Sequence, residues 1–161
     1  MPHPSARHPL SPAETPDPLA ACLPLPMPAH EDARMLMIAA RRMAVHGLHD
    51  ASAALLVLRH LGIHFRQPLV LMRAFMLELS DATRRPIMVA PCCTPRLTRD
   101  EGDILATWSA ASHDPAAAMA HLGRLTGGPA PAALLTTGAA LANALANAGR
   151  ALPPWPGAPA D

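Results

Sequence analysis

Proline decides where this chain can fold. Of the 20 prolines in 161 residues, nine fall within the first 28, at Pro2, Pro4, Pro9, Pro12, Pro16, Pro18, Pro24, Pro26 and Pro28. Each removes a backbone donor and turns its predecessor away from helix. Residues 1–30 are therefore expected to be a disordered or polyproline-II-like tail. Pro153, Pro154, Pro156 and Pro159 predict a second tail over residues 151–161. Residues 31–150 remain as the stretch able to hold a core, and a chain of about 120 residues buries roughly two thirds of its unfolded surface. The first tail has another explanation. Long open frames arise cheaply in GC-rich DNA, and Met27, Met35 and Met37 offer later starts, so residues 1–26 or 1–34 could lie outside the translated chain.

Between the tails the pattern is helical throughout. Glu31 and Asp32 open a run with Leu36, Ala39 and Met43 on one face and Arg34 and Arg41 on another, and Gly47 closes it. Asp50 caps a second run through Leu55, Leu58 and Leu61 that stops at Gly62. Pro68 sits in the first turn of a third run, Leu69 to Leu79, which is apolar nearly all round and is expected at the centre of the core. Ile87–Ala90 reads as a short strand or a buried extended connector. Thr98 and Glu101 form a capping box ahead of Ile104, Leu105 and Trp108. Asp114 and Pro115 start a helix that stops at Gly127, and a last run ends at Gly149. The expected fold is all-α, a compact single-domain bundle of five or six helices.

Composition excludes several classes. Net charge is only +1, and with no Tyr, two Phe and two Trp the chain lacks stacking platforms, so a nucleic-acid partner is not expected. The longest apolar run carries Arg73 and Glu78 and falls short of the roughly 18–20 residues of a membrane span. The N-terminus has prolines where a secretory segment needs a continuous apolar stretch. The three cysteines, Cys22, Cys92 and Cys93, cannot form a disulfide framework, so a reducing cytoplasm is the expected compartment. All 13 basic residues are Arg, which fits GC-rich coding and carries little chemical weight.

Three strings, RRMAVHGLHDA at Arg41–Ala51, PLVLMRAFMLELS at Pro68–Ser80 and APCCTPR at Ala90–Arg96, resemble a small uncharacterised bacterial protein family, a domain of unknown function. The resemblance spans about residues 35–150. It implies one folded domain, no activity and no site residues.

The most unusual local feature is the vicinal pair Cys92 and Cys93. Arg84, Arg85, Arg96, Arg99 and the helix opened by Thr98 all stand nearby in sequence and would favour a thiolate or a bound anion. The plainer alternative is one buried small hydrophobe and one incidental thiol. His46 and His49, in the turn that ends at Asp50, could join Cys92 and Cys93 as four zinc ligands, or simply be solvent-facing turn residues beside a helix cap. His60 and His64 have i, i+4 spacing, but Gly62 between them breaks the shared face. Arg73, inside an apolar helix, must snorkel or find a carboxylate, Asp50 or Asp81, or an anionic ligand.

No nucleophile elbow, phosphate loop, dinucleotide fingerprint or zincin helix is present. The leading expectation is thus a helical binding or regulatory module acting through protein contacts, with no cofactor. A thiol-based redox or metal-binding protein using Cys92 and Cys93, with zinc or another transition metal, is the alternative. An enzyme on a small anionic substrate, clamped by Arg73 or Arg96, is a third. The Ala-rich late helices permit close helix approach and leave homo-oligomerisation open.

Overall fold

In the computed structural model the structure describes residues 21–155. The expected tails over 1–20 and 156–161 lie outside the described residues. Six helices follow in order: α1 Glu31–His46, α2 Ala51–Leu61, α3 Arg66–Ala82, α4 Arg99–Ala110, α5 Pro115–Thr126 and α6 Ala132–Asn147. A one-turn 3-10 helix, Gly62–His64, joins α2 to α3. The fold is the compact helical bundle expected. No described helix is long and apolar enough to cross a membrane.

The ends of the helices follow local chemistry. Asp50 caps α2 by accepting from the Ala53 amide at 2.7 Å. Thr98 and Glu101 close a reciprocal capping box on α4. Asp114 caps α5 with Pro115 behind it, and Gly127 ends it in the left-handed conformation, φ 71°. Three closely packed helix pairs build the bundle: α1 with α2, α4 with α5, and α3 with α6.

The centre differs from expectation. On α3 only Pro68, Leu69, Met72, Phe75 and Leu79 are buried, while Val70 and Leu77 face solvent. The buried helix is α4, where every residue from Asp100 to Ser109 is inside. Hydropathy favours α3, but α5, α6 and α1 together cover α4, whose charges are met by partners described below. Trp108 stacks edge-on against Phe75 at 5.4 Å and 65°. Gly138 of α6 passes this junction within reach of Phe75, Thr107 and Ala111.

Ile87–Ala90 is an extended connector. Two short strands do form, β1 Leu25–Pro26 and β2 Arg96–Leu97, paired antiparallel with Leu25 opposite Leu97. Residues 23–28 thus run as a strap along the loop before α4, although prolines had suggested a tail as far as residue 30. The opposite terminus is pinned too: Ser109 Oγ donates to the Pro153 carbonyl at 2.9 Å and accepts from the Trp155 amide at 3.0 Å.

A Cβ at position 138 would meet Phe75 and Ala111 at 3.5 Å, an ordinary contact. Gly138→Ala is therefore expected to be neutral or to stabilise by about 0.5–1 kcal/mol through lower backbone freedom. Gly138→Leu should destabilise by about 1–3 kcal/mol through overpacking. Urea denaturation of the two variants checks the sign.

Candidate functional site

The loop between α3 and α4, residues 83–98, has almost no regular structure of its own and takes its shape from buried charge. Arg41 of α1 is completely buried. Its Nε and Nη2 donate to the two oxygens of Glu101 at 2.6 and 2.9 Å. The remaining N–H groups reach the carbonyls of Pro91 at 3.3 Å, Thr94 at 2.8 Å and Arg96 at 2.6 Å. Glu101 in turn accepts from the amides of Ala90 and Thr98, at 3.1 and 2.9 Å. Each buried charge is thereby saturated, which is what makes its burial tolerable.

Neighbouring acids repeat the pattern. Asp100 takes both arms of Arg85, at 2.6 and 3.1 Å, and the Met88 amide at 2.7 Å. Asp103 meets Arg124 at 2.6 Å and His121 Nδ1 at 2.7 Å. Donating to these carboxylates holds the Arg85 and Arg124 guanidinium pKa values above their ordinary value. Sequence reasoning missed the Arg41–Glu101 pair, placing Arg41 on the polar face of α1. The available signal was its i+4 spacing from Met37, which is itself buried.

The cysteine pair sits on this scaffold. The Thr94 amide donates to the Pro91 carbonyl at 3.0 Å, so Cys92 and Cys93 form the tip of a tight turn. Both ends of that turn are held by Arg41. Cys92 is half-buried and Cys93 exposed, and all three cysteines are free. The cations expected around them are mostly engaged elsewhere: Arg85 on Asp100, and Arg96 on the carbonyls of Leu23 at 2.5 Å and Pro24 at 3.1 Å. Arg84 lies against Gly128. The α4 N-terminus is occupied by its own capping box.

The four-ligand zinc arrangement is not assembled. His46 and His49 are exposed in the α1–α2 turn, and among the described residues no three His, Cys, Asp or Glu side chains converge on a common point. Asp50 serves as the α2 cap and accepts from Arg42 Nε at 2.8 Å. His60 bonds to Asp32 at 2.6 Å and does not share a face with His64, because Gly62 turns the chain with φ 56°. Arg73 finds a backbone partner, the Leu48 carbonyl at 2.9 Å. Arg73 and Arg96 thus both bond to backbone carbonyls, on different parts of the surface.

A cleft of about 330 Å³ opens between the C-terminal half of α1, the end of α3 and residues 83–89. Its walls are mainly apolar, Met43, Leu48, Met76, Leu79, Ile87 and Ile104, with Ser80, Thr83 and Arg85 as polar lining. Leu77 also lines it and is 49% exposed; Met88, between lining residues Ile87 and Val89, is 62% exposed. Its volume lies within the range of roughly 300–1,000 Å³ typical of binding pockets.

A protein-family profile, described as a family of unknown function, matches residues 16–150. No curated protein and no solved structure matches the chain.

Two outcomes test the electrostatic scaffold. Arg41→Met should cost about 3–5 kcal/mol in urea denaturation by stranding Glu101, and Arg41→Lys less, since an ammonium keeps the charge but not the fork. A loss under about 1 kcal/mol for Arg41→Met would contradict the role given to the pair. The second concerns pH. The Arg42 hydrogen bond, helped by the Ala53 amide, holds the Asp50 carboxyl below its ordinary value. Its stabilisation is present above the unfolded carboxyl's pKa and fades as pH falls through the lower folded value. Asp50→Asn keeps a capping oxygen and removes the charge, so its stability deficit at pH 7 should shrink at pH 3 and below.

Proposed function

The chain belongs to DUF6628, a family of unknown function that brings no activity with it, and we propose from its residues that the protein is a helical binding module acting through protein contacts in the bacterial cytoplasm. The cleft between α1 and α3 carries this reading. It is mainly apolar inside, and at its edge the apolar side chains of Leu77 and Met88 stand in water. Apolar surface exposed around a pocket favours docking of a partner's apolar side chains, because water leaves both surfaces at once. The three unpaired cysteines fit a reducing compartment.

The test places a photo-activated cross-linking amino acid at position 77, 88 or 120 in cells that make the protein. Ala120 is exposed on α5, away from the cleft residues. Positions 77 and 88 should each give one discrete protein adduct that position 120 does not, and Leu77→Glu should abolish the adduct from position 88. Equal labelling from all three positions, or none, would count against the reading. An adduct of twice the chain's mass would identify the partner as a second copy.

A further inference from the structure

We infer that Met27, Cys92 and Cys93 form a binding site for a soft monovalent metal ion, Cu(I), independent of the apolar cleft. Met27, Cys92 and Cys93 are all among the residues that line one cleft of about 390 Å³ between the strap and the cysteine turn. Around them stand Arg34, Ile38 and Thr94, with no carboxylate and no imidazole in the lining.

Donor type selects the ion. Thiolate and thioether sulfur favour Cu(I), whereas Mg²⁺ and Ca²⁺ require oxygen and a structural zinc requires four tetrahedral donors. Two thiols and one thioether suit an ion content with two or three sulfur ligands. On binding, each thiol loses its proton to solvent and two copper–thiolate bonds form. No electron moves, and copper stays in the +1 state. The complex carries one net negative charge, and Arg34, a cation in the cleft lining, offsets it.

The donors are also held in place before any ion arrives. Arg41 fixes both ends of the cysteine turn through the Pro91 and Thr94 carbonyls. On the facing side, the Met27 amide donates to the Pro95 carbonyl at 3.1 Å. Arg34 holds the next residues through the carbonyls of Pro28 at 3.2 Å and Ala29 at 2.9 Å. Anchoring the backbone of both walls lowers the ordering cost of binding.

The experiment is an anaerobic titration of the reduced full-length protein with Cu(I), in competition with bicinchoninate. Wild type should bind one equivalent, and Zn²⁺ at the same concentration should not displace it. Cys92→Ser/Cys93→Ser should weaken binding about a hundredfold, Met27→Leu about tenfold, and Cys22→Ser not at all. Cys93→Ser alone, at an exposed position, should also lose most of the affinity, and it serves if the double variant fails to fold. Unchanged Cu(I) affinity in Cys93→Ser or in Met27→Leu, a loss in Cys22→Ser, or displacement by Zn²⁺ would each overturn the assignment.

Discussion

Burying α4 depends on neutralising three acids. Asp100, Glu101 and Asp103 lie in the first five residues of a helix that is inside the protein along nearly its whole length. Left unpaired, each would cost several kcal/mol, and more than one could not be tolerated at ordinary domain stability. The fold answers each from a different direction: Arg85 from the connector, Arg41 from α1, and Arg124 with His121 from α5. The same pairs therefore do two things. They permit the helix to be central, and they fix how its neighbours are set against it. Arg41 goes furthest, because its planar fork satisfies Glu101 and still has N–H groups for three carbonyls of a loop with almost no ladder of its own.

Helix positions were legible because their signals are local. Asp50, Thr98 with Glu101, and Asp114 with Pro115 each mark a start within four residues, and Gly47, Gly62 and Gly127 mark stops by adopting positive φ. Burial was not legible in the same way. Hydropathy ranks Leu69–Leu79 above a helix beginning Arg-Asp-Glu-Gly-Asp, yet α3 leaves Val70 and Leu77 in water while α4 is enclosed. The difference lies in partners 15 to 60 residues away, which no periodicity reports. The cysteine pair stood out as a motif, but its surroundings were drawn from sequence neighbours. Met27 and Arg34, which share its cleft, come from other segments, brought in by the strap and by α1.

Two clefts of different chemistry share one connector. Residues 83–89 wall the apolar cleft, and residues 92–95 wall the sulfur-lined one. Between them lies Ala90, buried, with its amide bonded to Glu101. The Arg41–Glu101 pair holds this junction and, through the Pro91 and Thr94 carbonyls, the cysteine turn beyond it.

The strap and the C-terminal segment attach at opposite ends of the same helix, through β2 just before Arg99 and through Ser109 in its last turn. At 1.5 Å per residue, those anchor points are separated by about 15–20 Å of continuous helix. Tension applied between the two described ends would run along the α4 axis, loading at one end a strap held by the β1–β2 pair, Arg34 and Arg96, and at the other two hydrogen bonds to a single serine. The serine fastening is the slighter of the two. The C-terminal segment would release first, so the mechanical weak point of the described chain lies where its last run of prolines begins.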